Sequence, residues 1–162
     1  MSNTLVLGIG NIFFSDEAIG VRIIEALEER FNIPEGVEVI EGGTCGMELM
    51  ADLADKDHVI VVDAVLSKGK PPGSIVILKD QEVPVMFTRK ISPHQLGLAD
   101  VLSALTLTEE FPKRLTLVGV VPECLDYKEQ LSDTMKRVFD DVLHRTVDVL
   151  RADGFTVTEK TV

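Results

Sequence analysis

The stretch that most constrains this chain lies near its start. Leu5-Val-Leu-Gly-Ile-Gly-Asn11 runs through Phe13 and Phe14 into Ser15-Asp-Glu-Ala-Ile-Gly20. An apolar run ends in two glycines, a short loop follows, and Asp16 and Glu17 stand at the head of an amphipathic segment. That order is strand, tight turn, helix, the opening of an α/β sheet. A dinucleotide fingerprint starts the same way but needs a third glycine, where this chain has Phe13. It also needs positive potential for a pyrophosphate, and two carboxylates repel one. A helix start that carries Asp16 and Glu17 attracts a cation instead.

The rest of the chain extends the pattern. The first strand is read over Thr4–Gly8, and helical spacing from Asp16 to Phe31 ends at Asn32-Ile-Pro34. The second strand is Val37–Glu41. Thr44 is then expected to cap a helix from Cys45 to Ala54. The third strand, His58–Ala64, has a continuously apolar centre, the mark of a strand covered on both faces. Alternation of strands and helices implies a parallel sheet. Only Lys68-Gly-Lys-Pro-Pro-Gly73 separates this strand from the fourth, Ser74–Lys79. A parallel crossover needs about a dozen residues, so the fourth strand is expected to be antiparallel. Asp80 to Ile91 shows no clear period and reads as a long surface loop. Ser92-Pro-His-Gln95 opens a helix carrying Leu98, Val101, Leu102 and Leu105. Leu115–Val120 is the fifth strand. Ser132 to Ala152 is a last helix with its buried stripe at Phe139, Val142, Leu143, Val147 and Leu150.

The length of 162 residues predicts one domain over 1–162. A net charge of -11 argues against nucleic acid and anionic membrane as partners. No apolar run nears the roughly 18 residues of a membrane span. Cys45 and Cys124 lack metal-type spacing and read as reduced thiols. With no basic segment at Met1–Thr4, a cytoplasmic protein is expected.

Sites in open α/β sheets form beyond the carboxyl ends of the strands. Glu17 follows the turn after the first strand, and Asp63 is the last polar residue of the third. His94 falls in the first turn of a helix whose start carries a Ser-x-x-Gln capping box. The positive end of that helix favours the neutral ring, which is a metal ligand. Two carboxylates and an imidazole suit nickel, zinc or another divalent ion and leave coordination positions open. Asp16 reads as a helix cap rather than a ligand. His58, at the far end of its strand, reads as structural, and His144 as a surface residue. Cys45 reads as a small residue in a tight loop. Glu41 is only a weak echo of a ribose-binding acid.

Gly8-x-Gly-Asn11, Asp16-Glu17-x-x-Gly20, Glu41-Gly-Gly-Thr44, Asp63-Ala64 and Ser92-Pro-His-Gln95, in this order, resemble the hydrogenase maturation proteases. The likeness runs from Thr4 to about Glu123. It departs at Glu41, where the family more often has Asp. It implies a three-layer α/β/α fold of the phosphorylase/hydrolase-like kind. The five-stranded, mostly parallel sheet would have the order 2-1-3-5-4, with strand four antiparallel. It also implies an aspartyl-type endopeptidase that removes the C-terminal extension of a nickel-iron hydrogenase large-subunit precursor after nickel insertion. The nickel, carried by the substrate, would be the recognition element, and a monomer is expected. The family's metal-contacting residues fall on Glu17, Asp63 and His94. Two alternatives are a nucleotide-binding α/β module and a peptidyl-tRNA hydrolase-like esterase, whose family also opens on Gly-x-Gly-Asn. The acidic balance opposes the esterase, because tRNA demands a basic surface.

Overall fold

The computed structural model describes residues 3–43, 47–86 and 93–161, the side chains of 85, 86 and 93–97 excepted. Five strands form one sheet: β1 (Thr4–Ile9), β2 (Val37–Gly43), β3 (His58–Ala64), β4 (Ile75–Lys79) and β5 (Arg114–Val120). Their order is β2-β1-β3-β5-β4. β1 pairs in parallel with β2 and β3, and β3 with β5. β4 runs antiparallel along β5, from Ile75 opposite Val120 to Lys79 opposite Thr116. The short connection before β4 leaves no room for a crossover, and the expected order and direction both hold.

The helices are α1 (Ile19–Arg30), α2 (Met50–Leu53), α3 (Glu82–Met86), α4 (Pro93–Leu107) and α5 (Asp133–Ala152). Alternation along the strands sorts the core into two layers. Val6, Ile60, Val62 and Val118 face α1 and α5, meeting Ile23, Ile24, Leu27, Val142, Leu143 and Val147. Leu5, Leu7, Val59, Val61 and Leu117 face α4, meeting Leu98, Val101, Leu102 and Leu105. Every strand position of β1 and β3 is buried, as two covered faces require. Truncating one of these leucines to alanine costs about 2–5 kcal/mol.

Three boundaries differ from the sequence reading. α1 does not begin at Asp16, because Ser15–Ala18 forms a 3-10 turn and the α-helix starts at Ile19. The helix expected over Cys45–Ala54 shrinks to a 3-10 turn at Met47–Leu49 followed by α2, while Thr44 and Cys45 lie outside the described residues. The presumed loop from Asp80 holds α3, whose Val83 is fully buried against the α4 layer. Pro84 is its third residue, still in the first turn, where a missing N–H costs nothing. Residues 87–92, including Ser92 of the capping box, lie outside the described part. α1 ends at Arg30, and Phe31–Asn32 pairs with Thr158–Glu159 in a small antiparallel ribbon.

Candidate active site

The carboxyl end of β1 delivers the site. Gly20, in the first turn of α1, lies so close to β3 that a β-carbon there would overlap the carbonyls of Val62 and Ile9. This contact seats the start of α1 against the end of β3. The 3-10 turn that carries Glu17 packs on β3 as well. Glu17 is 6% exposed. Gly8 pairs with Val62, so Asp63 stands one residue beyond the last paired position of β1. Asp63 is fully buried, and its Oδ1 accepts the Ala64 N–H at 2.8 Å. Its parity with Val59 and Val61 places it on the face that α4 covers. His94 is the second residue of α4, and its side chain lies outside the described part. Thus the two carboxylates come to one rim, while the imidazole is placed only by its helix. Among the described residues no group of three acidic, histidine or cysteine side chains gathers to hold an ion.

Asp16 does something other than the cap expected from sequence. The residue before its turn, Phe14, has no side-chain cap, and Asp16 points away into the interior, fully buried. Its Oδ2 accepts the N–H groups of Glu123 (2.9 Å) and Cys124 (3.0 Å) and the Ser132 hydroxyl (2.7 Å). Its Oδ1 accepts the Ser132 N–H at 2.7 Å. Ser132 in turn caps α5, its hydroxyl accepting from the Met135 N–H. The buried charge is met by four donors and by the positive end of a 20-residue helix. Ser15, just before it, adopts a left-handed conformation (φ 51°). Its N–H donates to the Lys128 carbonyl at 2.7 Å, and its hydroxyl to the Gln130 carbonyl at 2.8 Å.

Phe13 stands where a dinucleotide fingerprint has its third glycine. It is 45% exposed and stacks on Tyr127, with centroids 6.3 Å apart, while Phe14 meets the same ring edge-on. What closes the turn is Gly10, at φ 143° beneath the Glu17 carbonyl. An open groove of about 330 Å³ runs along this rim, between Gly10, Phe13, Val21 and Glu41. Burial raises the Glu41 pKa above its ordinary value, and the charges of Glu25 and Glu28 push it the same way against Arg22.

His58 and His144 are as expected. His144 is exposed on α5. His58 is buried at the amino end of β3, away from the rim. Its Nδ1 lies 2.5 Å from Asp153 and its Nε2 2.7 Å from the Thr116 hydroxyl, while Arg114 holds the other oxygen of Asp153 at 2.8 Å. A separate cavity of about 220 Å³ sits there, with Lys79 and Asp80 on its wall. Sequence reasoning missed Ser15, Tyr127 and Ser132 at the rim. The adjacent carboxylates at 16 and 17 were the available signal, since two like charges in one turn are held most easily when one has its own buried donors.

The arrangement can present two poorly solvated carboxylates to a cation or a water at the sheet's edge. No helix among the described residues is long and apolar enough to cross a membrane. A family model described as hydrogenase maturation protease matches residues 21–149. The chain is 57% identical to the hydrogenase 2 maturation protease of Escherichia coli (strain K12), over 93% of this chain and 92% of that one. It is 38% identical to the hydrogenase expression/formation protein HoxM of Azotobacter vinelandii, over 94% and 74%. The solved hydrogenase-maturating endopeptidase HybD of E. coli superposes with a TM-score of 0.94 at 54% identity, covering 98% of both chains. With family model, sequence relatives and solved fold in agreement, this chain belongs to the hydrogenase maturation proteases and is a peptidase of hydrogenase maturation.

Proposed function

We propose that this endopeptidase removes the C-terminal extension of a nickel-iron hydrogenase large-subunit precursor once nickel is in place, working as a single-domain cytoplasmic monomer. The nickel belongs to the substrate, and Glu17, Asp63 and His94 engage it. The observation that carries this reading is the burial of two carboxylates, Glu17 at 6% and Asp63 at 0% exposure, beside one another's elements at the carboxyl ends of β1 and β3. Carboxylates this desolvated gain most from a cation. Their oxygen donors, with one imidazole nitrogen, fit nickel or zinc.

A divalent ion beside a peptide bond polarises the carbonyl or makes water a better nucleophile. The chain's own residues supply the remainder. Glu17 and Asp63 hold the ion-bearing end of the substrate at the rim. One of them accepts the proton of the attacking water as its oxygen bonds to the scissile carbon. That proton passes to the departing amine when the C–N bond breaks. The groove along Gly10, Phe13 and Val21 is open to the polypeptide that leads to the cut.

The test is substitution within the set. Glu17→Gln, Asp63→Asn and His94→Ala should each fold with a near-native circular dichroism spectrum. Each should lose at least about a hundredfold in cleavage of nickel-loaded precursor. Cleavage at the parental rate by any of the three would remove that residue from the site.

A further inference from the structure

We infer that Asp16 is a positioning residue for Glu17, fixing it through the segment 123–132. The inference rests on the proposed role of Glu17. The two residues before Glu17 are both tied to one distant stretch of chain. Ser15 donates twice, to Lys128 and Gln130, from a left-handed backbone that a non-glycine residue adopts only when its surroundings hold it there. Asp16 accepts from Glu123, Cys124 and twice from Ser132, and its own N–H donates to the Cys124 carbonyl at 3.0 Å.

Glu17 is the next residue, inside the same 3-10 turn, with its N–H on the Phe14 carbonyl at 3.1 Å. Below it Gly10 leaves its carbonyl no freedom to sink. The backbone of Glu17 is therefore held on one side by Gly10, just past the end of β1, and on the other by the anchor at the head of α5. A carboxylate suits that anchor because it accepts from every donor. The amide of an asparagine must turn its NH₂ toward one of them, whichever way it is flipped. Loss of the anchor frees the turn, and Glu17 moves with it. A displacement of about 1 Å at a reacting centre costs on the order of a hundredfold in rate.

The experiment measures kcat and KM of Asp16→Asn on nickel-loaded precursor, well below its Tm, per folded molecule. The controls are Glu17→Gln and His58→Gln. The latter loosens a buried network at the opposite end of the sheet. The expected result is a fall in kcat of at least about tenfold for Asp16→Asn, with any rise in KM no larger than that of Glu17→Gln, and parental kinetics for folded His58→Gln. Parental kcat in folded Asp16→Asn, with only a lowered Tm, would overturn the inference and leave Asp16 a staple of the fold. If Asp16→Asn does not fold, Ser132→Ala takes its place, since it removes the hydroxyl donor and keeps the three backbone donors. A several-fold fall in kcat then supports the inference, and parental kcat defeats it. Full activity in Glu17→Gln would overturn the reading of the site itself and the inference with it. Loss there, with none in Asp16→Asn, would overturn the inference alone.

Discussion

The carbonyl of Glu17 fills the space in which a β-carbon on Gly10 would stand. One backbone group at the site thus rests on another, with no side chain between them. Gly10→Ala would force backbone against backbone at a φ that L-residues avoid. The substitution should cost about 2–4 kcal/mol in urea unfolding. It should also depress cleavage in the fraction that folds, because the turn bearing Glu17 must lift. A stable, fully active Gly10→Ala protein would mean that the turn adjusts freely.

Asp16→Ala should be more damaging than loss of a helix cap. An exposed cap is worth about 0.5–2 kcal/mol. Here the change leaves three backbone N–H groups and a hydroxyl facing a buried void. A loss of about 3–5 kcal/mol is expected, read from the denaturation midpoint. A loss below about 1 kcal/mol would show that water replaces the carboxylate without strain.

These two residues mark where the sequence was legible and where it was not. The antiparallel β4 and the placing of Glu17 and Asp63 at strand ends follow from local apolar runs and connection lengths, while the strand order was implied by the family resemblance. Asp16 was misread because its partners stand 107 to 116 positions away, and no local spacing reports them. α3 was missed because Val83-Pro84 looks like a breaker unless the helix start is known to lie at Glu82. The stacking of Phe13 on Tyr127 was not legible because Tyr127 comes from the segment after β5.

His58→Ala tests the opposite end of the sheet. It removes a buried side chain whose two nitrogens contact Asp153 and Thr116. The stability loss should be about 2–4 kcal/mol. Cleavage per folded molecule should stay at the parental value, as the network lies away from the rim. A changed kcat with unchanged stability would place His58 in the chemistry.

Glu41 supplies a pH-dependent prediction. Its pKa is raised by burial and by Glu25 and Glu28, so folding disfavours its charged form. An acid with a raised folded-state pKa favours folding at low pH, and that contribution is lost as pH rises through the folded value. Glu41→Gln should therefore stabilise the protein near pH 7, by under about 0.5 kcal/mol because the side chain is exposed. The gain should shrink as pH falls toward about 4. Thermal melts across that range are the measurement, and a gain that grows on acidification would reverse the assigned sign.

The central claim is that an ion carried by the substrate completes a site that Glu17 and Asp63 only begin. Mass spectrometry of the large-subunit precursor after incubation with this enzyme tests it most directly, with nickel-loaded precursor, nickel-free precursor and a free peptide spanning the extension side by side. The account predicts one product, a precursor shortened at its C-terminus, from the nickel-loaded form alone. Equal cleavage of the nickel-free precursor, or turnover of the bare peptide, would contradict it and show a protease that needs nothing from its substrate but the peptide bond.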